Sequence, residues 1–203
     1  MCSQRCRGHT LKQVSEKSEK LPLFPLGTVL FPGLVLPLHI FEERYRQLVR
    51  DLLEQPAEQP RQFAVVAIDL GHEVGSQAAR RLSTVGCIAD VRDVTPHEDG
   101  KFDIVAVGDT RCRVEEVDDS GPYLQAEVTP MDDDPPDPEA QASRANVATL
   151  FEAYCGVLGK LGAQIEGIED LPEEPLRLSY VVAASLVLDR TDKQQLLEAE
   201  DVT

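Results

Sequence analysis

The sequence predicts an α+β fold in which a strand-rich first part precedes a helical second part. Residues 21–131 hold short apolar runs, many of them alternating or β-branched, between turns rich in glycine, aspartate and proline. Residues 139–203 repeat apolar residues at helical spacing instead. The segment 132–138 between them is dense in aspartate and proline, which is typical of a stiff, solvated linker. Residues 1–20 are polar, and we expect them to form a disordered tail.

Length and composition fit one globular domain or two small subdomains that share a core. The chain has 203 residues, of which 42% are hydrophobic and 28% charged. The formal net charge of −16 disfavours nucleic acid, because lysine and arginine contacts to phosphate supply most of that affinity. The sequence has no uncharged apolar run of ~18 residues and no secretory signal at its start. We therefore expect a cytoplasmic protein that binds neither nucleic acid nor membranes.

The first part begins with Leu21–Arg46, which predicts short extended segments followed by a helix. Its four prolines exclude one long helix, since each lacks a backbone N–H and fixes φ. Pro32 and Gly33 together are typical of a turn. From Phe41 to Leu53 the apolar residues follow helical spacing, with two glutamates in the expected first turn, where the helix dipole favours anions.

Five strand-like runs follow this helix. The first is a continuous apolar run with several β-branched residues, which predicts a buried strand. The others alternate apolar and polar residues over much of their length and are separated by turn-forming residues. The runs are Phe63–Ile68, Leu82–Val94, Lys101–Val107, Thr110–Val117 and Tyr123–Met131. We expect them to form a sheet that closes into a barrel or packs as a sandwich.

The second part predicts three helices. The first spans Ala140–Leu161, and the next begins at Pro175, because proline is favoured at the first position of a helix. The nearly continuous apolar run Tyr180–Leu188 predicts that this helix is central to a helical bundle. A last helix spans Asp192–Ala199, with Thr191 as its expected cap.

Motifs of common catalytic chemistry do not occur in the sequence. It has no P-loop, no G-x-S-x-G and no H-E-x-x-H. His39 could act as a general base beside Glu42 or Glu43, or it could be a strand-end residue that hydrogen-bonds to backbone; the second interpretation is favoured. Because no nucleophile occupies a suggestive place, we predict no catalytic residue and no enzyme.

The cysteines do not predict a metal centre. Cys2, Cys6 and His9 are zinc-type ligands at close spacing, but no fourth ligand lies nearby, so a polar tail is the favoured interpretation. We therefore predict no metal and no cofactor. The other three cysteines have apolar neighbours and are expected to be small buried residues. They are Cys87, Cys112 and Cys155.

Arg111 and Arg113 are expected on one face of a strand. With Arg80–Arg81 they could form a small basic patch. A solvated strand face on which they pair with Glu115 and Glu127 is the favoured alternative.

Several of these segments resemble one known family. The segment Leu21–Arg46 resembles the opening of the Lon protease N-terminal, substrate-binding domain. The resemblance lies in three motifs in this order: Leu-Pro-Leu-Phe-Pro-Leu, Phe-Pro-Gly and His-Ile-Phe-Glu-x-Arg-Tyr. The block Gly108–Val114 is similar to the G-x-x-R motif of that family. More generic similarities lie in Phe63–Ile68, Val85–Ala89, Pro122–Val128 and Leu186–Asp201.

The resemblance implies a PUA-like β-barrel with one inserted helix, followed by a helical bundle. It implies noncatalytic recognition of unfolded or flexible polypeptides in protein quality control. A separate and weaker hypothesis is an adaptor that delivers clients to an ATP-dependent protease. The AAA+ and Ser-Lys peptidase parts of Lon proteases are expected to be missing, so that a peptidase S16 label would name ancestry. The chain ends soon after Glu198, and an incomplete bundle is one expectation. Alternatives are a PUA-type RNA-binding module, or a scaffold that binds no client.

The apolar turn Leu30–Leu34 is the expected binding surface, because exposed apolar patches mark interaction sites. The candidate polypeptide-binding residues are Phe31, Pro32, Leu34, Arg44 and Tyr45. The alternative, in which Phe31 and Leu34 belong to the core, stays open.

Overall fold

The computed structural model describes residues 18–56, 58–69, 81–133, 138–162 and 171–199 and confirms the α+β fold. Seven strands and four helices lie within these ranges. In chain order they are β1 (Glu19–Leu26), β2 (Val35–Ile40), α1 (Glu43–Glu54), β3 (Gln62–Asp69), β4 (Arg81–Leu82), β5 (Val85–Pro96), β6 (Phe102–Asp118), β7 (Gln125–Pro130), α2 (Pro138–Lys160), α3 (Pro175–Ser185) and α4 (Arg190–Glu198).

Five of the described strands close into a barrel, so the sandwich alternative is wrong. The order around the ring is β1, β7, β6, β5, β3 and back to β1. The contact between β1 and β3 is parallel, with Leu23 opposite Ala64, and the other four contacts are antiparallel. β2 pairs with β6 outside this ring, and β4 pairs with β3. Closure leaves few strand edges that must be protected from pairing with other chains.

Strand β3 shows why a continuous apolar run was the correct signal for a buried strand. Phe63 and Val65 belong to a cluster that packs under α1, whereas Ala64 and Val66 belong to a second cluster on the opposite face. A strand that is covered on both faces needs apolar residues at every position.

Strand β6 is one long strand and not the two that the sequence predicted, and Gly108 explains the difference. Gly108 lies within the strand and accepts a hydrogen bond from the Gly33 N–H at 2.7 Å, while its own N–H donates to the Leu34 carbonyl at 2.9 Å. A Cβ at this position would lie 2.5 Å from the carbonyl oxygen of Phe31. The glycine therefore permits a close approach between two backbones and does not end the strand.

The opening segment forms β1 and β2, with a turn at Pro32 and Gly33, where Gly33 has a φ of 81°. Helix α1 begins two residues later than the periodicity predicted, because Glu42 has an extended backbone and occupies the N-cap position. Phe41 therefore lies outside the helix and is 61% exposed. The apolar face of the helix is buried as predicted, through Tyr45, Leu48, Val49 and Leu52.

The helical part packs on the barrel around α3. Phe31 and Val85 share a buried cluster with Tyr180, Ala183 and Leu197 from α3 and α4. None of the helices within the described ranges is long and apolar enough to span a membrane.

The cap of helix α4 is Asp189 and not Thr191. The side chain of Asp189 accepts a hydrogen bond from the Asp192 N–H at 2.9 Å. The helix therefore begins at Arg190, two residues before the predicted start. Asp and Thr are both favoured caps, so composition alone does not choose between them.

Arg111 is buried, so its predicted place on a solvated or basic strand face is wrong. Only 5% of the residue is exposed. Its guanidinium donates to the carboxylate of Asp133 and to the carbonyl oxygens of Leu197 and Ala199, at distances of 2.5–2.9 Å. The hydroxyl of Tyr180 donates to the same carboxylate at 2.8 Å. These contacts satisfy both the buried charge and two carbonyls that the end of α4 leaves unpaired.

The predicted division into tail, barrel, linker and helical part stays a prediction. β1 begins at Glu19, so the last two residues of the predicted tail belong to a strand, and residues 1–17 lie outside the described residues. Asp133, in the predicted solvated linker, is instead paired with Arg111, while residues 134–137 lie outside the described ranges.

Gly108→Ala should lower the free energy of unfolding by about 1–3 kcal/mol, the usual cost of overpacking a core. The added methyl group would meet backbone, which cannot move aside as a side chain can. Gly27→Ala is the matched control, because no atom lies within 4 Å of a Cβ there. Urea unfolding measures both variants, and equal stability would contradict the role assigned to Gly108.

Arg111→Ala should lower the free energy of unfolding by about 3–5 kcal/mol, because it leaves a partly buried carboxylate without its cation. Arg113→Ala, on the same strand but exposed, should change it by less than about 0.5 kcal/mol. Guanidinium unfolding compares the two. If both arginines cost the same, the buried network does not join the barrel to the helices in the way described.

Candidate functional site

A groove of about 400 Å³ opens between the ends of β1, β2 and β3 and the first turn of α1. It lies within a described part of the chain, and eleven residues line it. They are Phe24, Pro25, Leu26, Leu38, His39, Ile40, Phe41, Glu42, Arg44, Tyr45 and Ile68. Most are apolar, and none is a serine, threonine, cysteine or lysine, so the lining suits binding of apolar groups better than covalent chemistry.

The floor of the groove is built from stacked rings. The rings of Phe24 and Tyr45 lie 4.1 Å apart and nearly parallel, and Phe24 also contacts Phe63 at 5.7 Å. The guanidinium of Arg44 lies over the ring of Tyr45, 4.5 Å from its centre. Because Phe24 and Tyr45 are buried core residues, the floor is held rigidly by the barrel and α1.

One wall of the groove is the edge strand β2. Its residues pair with β6 from Val35 opposite Val107 to Ile40 opposite Phe102. Within the described residues, no strand pairs with its other side. Such an edge presents backbone N–H and C=O groups that can hydrogen-bond to an added extended segment. The last three residues of β2 also line the groove.

Phe41 stands at the rim and is the residue that sequence reasoning missed. Helical spacing assigned it to the buried face of α1, but it precedes the helix and its ring stacks near that of His39, with centroids 6.2 Å apart. Two glutamates follow it, and acidic residues favour the first turn of a helix. That signal could have placed the helix start at Glu43 and left Phe41 outside.

Charged groups at the rim are paired with one another. Arg44 bonds to Glu42 at 2.8 Å, and Glu43 bonds to arginines of α1. His39 bonds to Asp103 through Nδ1, at 2.6 Å. The ring of His39 thus has a carboxylate partner that neither sequence-based interpretation named.

The structure separates the predicted polypeptide-binding residues into two groups. Arg44 and Tyr45 line the groove, whereas Phe31, Pro32 and Leu34 do not. The expected exposure of Phe31 is wrong, because its side chain is 0% exposed and its ring lies 6.2 Å from that of Tyr180. Leu34 and Pro32 are half-buried in the same turn. The open alternative, in which this turn contributes to the core, is correct for Phe31.

Comparisons with known proteins agree with this architecture. A sequence model of the ATP-dependent protease La (LON) substrate-binding domain matches residues 20–203. The chain is 34% identical to the Lon protease of Koribacter versatilis over 192 residues, which are 93% of this chain and 23% of that protein. It is 29% identical to Lon protease 2 of Syntrophobacter fumaroxidans over 182 residues, 89% of this chain and 22% of that protein. The chain thus spans less than a quarter of the length of these relatives.

Solved structures show the same fold. A Lon N-terminal domain protein from Xanthomonas campestris is 25% identical with a TM-score of 0.64, and the match covers 91% of this chain and 92% of that one. The N-terminal domain of a Mycobacterium avium complex Lon protease, at 19% identity, has a TM-score of 0.60 with the same coverage. The chain belongs to the family of Lon substrate-binding domains.

Proposed function

We propose that this chain is a noncatalytic module that recognises extended polypeptide segments with apolar side chains. The observation that carries the proposal is the exposed Phe41, which lines an apolar groove beside the edge of β2 that no strand in the described part of the chain pairs with. The family description as a substrate-binding domain supports it. Recognition alone is carried over, because the matched region is not the one responsible for ATP hydrolysis or peptide cleavage in the relatives.

The proposed binding mode combines two kinds of contact. An extended segment adds to β2 through backbone hydrogen bonds, and its alternate side chains enter the groove over Phe24 and Tyr45. Phe41 packs against the same side chains from the rim. The volume of the groove falls within the range of about 300–1,000 Å³ that ligand pockets usually have.

The distribution of charge favours polypeptide over nucleic acid. Six arginines and two lysines of the described ranges pair with carboxylates, at distances of 2.6–3.3 Å. This pairing and the net charge of −16 both disfavour contacts to phosphate. An unfolded or flexible polypeptide is therefore the proposed partner, and delivery of such clients to a separate ATP-dependent protease is the proposed cellular role.

Phe41→Ala should weaken binding of an alkylated, permanently unfolded model protein by about tenfold or more, the loss typical of an aromatic anchor in an interface. The substitution should leave stability nearly unchanged, because the side chain is exposed and lies outside the helix. Fluorescence anisotropy of the labelled unfolded protein measures the affinity.

Leu150→Ala is the matched control. Leu150 is apolar and 63% exposed, but it lies on α2 and does not line the groove. The Leu150→Ala variant should bind the unfolded model protein with the same affinity as the unsubstituted chain. Equal affinities for all three proteins, or the same loss for both variants, would show that the groove is not the binding site.

A further inference from the structure

His39 of β2, Asp103 of β6 and His97, which directly follows β5, meet on one face of the sheet. His39 lies in β2 directly opposite Asp103 of β6. On the other side of β6, Thr95 of β5 is opposite Asp103, and His97 follows two residues later. Residues two apart on a strand point to the same face, so His97 is the diagonal neighbour of Asp103. The register of β2 on β6 therefore brings His39 to a carboxylate 64 positions away, and His97 reaches the same carboxylate from the adjacent hairpin.

The ligand atoms of the three side chains are already close to one another. His39 Nδ1 lies 2.6 Å from Asp103 Oδ1, and His97 Nε2 lies 2.7 Å from Asp103 Oδ2. The ligand atoms of the three residues all lie within 4.8 Å of one another. All three side chains are exposed to solvent, so water could satisfy each of them separately. Burial does not explain why both rings point at one carboxylate.

We propose that His39, His97 and Asp103 form a binding site for a divalent transition metal such as zinc. Imidazole nitrogen and carboxylate oxygen are common zinc ligands, whereas magnesium and calcium prefer oxygen ligands alone. In this site one nitrogen of each imidazole and one oxygen of Asp103 bind the metal in place of the hydrogen-bonding protons, and these three atoms separate slightly to reach the usual distances of about 2.0–2.2 Å from zinc. Three protein ligands leave a fourth position open to solvent.

The supporting backbone holds the site in place. His97 donates its N–H to the carbonyl oxygen of Lys101 at 2.9 Å, which closes the hairpin between β5 and β6. Gly100 supplies the positive φ of 79° that this turn requires. Ligands on paired strands and a closed hairpin need little rearrangement to bind a metal, which distinguishes this site from ligands on long loops.

The cysteines are other side chains of this chain that could bind zinc. Cys87 and Cys112 are fully buried, and burial raises the pKa of both thiols, to about 12 for Cys112, so they stay protonated and do not compete for metal. Cys2 and Cys6 lie outside the described residues and are zinc-type ligands. Replacing both by serine removes this source of binding from the experiment.

The full chain carrying Cys2→Ser and Cys6→Ser, stripped of metal, should bind one zinc ion in a calorimetric titration. Asp103→Asn and His97→Ala in that background should each weaken binding by about tenfold or more, at least the loss that removal of an outer-shell partner causes. Asp99→Asn is the matched control: this carboxylate is on the same hairpin but pairs with Lys101 at 2.6 Å, and its removal should leave zinc affinity unchanged.

Nuclear magnetic resonance of the imidazole nitrogens tests the site without any substitution of its ligands. In the chain that retains all three ligands, zinc should shift the imidazole nitrogen resonances of His39 and His97 and leave those of the other histidines in place. Circular dichroism verifies that the variants are folded. Failure of the chain to bind zinc, or zinc binding that Asp103→Asn and His97→Ala leave unaltered, would overturn the proposal.

Discussion

The buried guanidinium of Arg111 is the contact on which the arrangement of this molecule depends. It binds Asp133 after the last strand of the barrel and two carbonyls at the end of α4, so one side chain joins the barrel to the helices. A buried charge is costly unless it is fully paired, and this one has three acceptors. Three residues earlier, Gly108 forms backbone hydrogen bonds with Gly33 and Leu34. The turn that contains these residues also contains Phe31, which packs under the same helices. The G-x-x-R motif therefore describes two adjacent contacts of one interface.

The same strand also positions both candidate sites. β6 pairs with β5 and β7 in the barrel and with β2 outside it. Its first half sets the register of β2, whose last residues line the groove. Asp103, near the start of β6, brings His39 and His97 together. A change that loosened the Arg111 network or the Gly108 contact would therefore act on the groove through β6, although neither residue lines it.

Local patterns in the sequence predicted the strands, the helices and their order, because side-chain periodicity reflects which face of an element is buried. Local patterns failed at residues whose surroundings are set by a segment distant in sequence. The two runs predicted on either side of Gly108 form one strand, because periodicity cannot distinguish a turn from a close approach between backbones. Arg111 alternates like a solvated residue, and only the docking of α4 buries it. His39 and Asp103 are 64 positions apart, so no spacing rule could pair them.

An apolar groove beside a strand edge that no described strand covers would suit the proposed recognition of many sequences. On the proposed binding mode, backbone hydrogen bonds to β2 are available to any extended segment, while the rigid floor of Phe24 and Tyr45 favours apolar side chains at alternate positions. Folded proteins bury both features, so a folded client offers neither to the groove. The net charge of −16 adds a general preference against acidic segments. On the proposed binding mode, selection for unfolded polypeptide would thus follow from the groups that a client must expose to enter the groove, without recognition of a specific sequence.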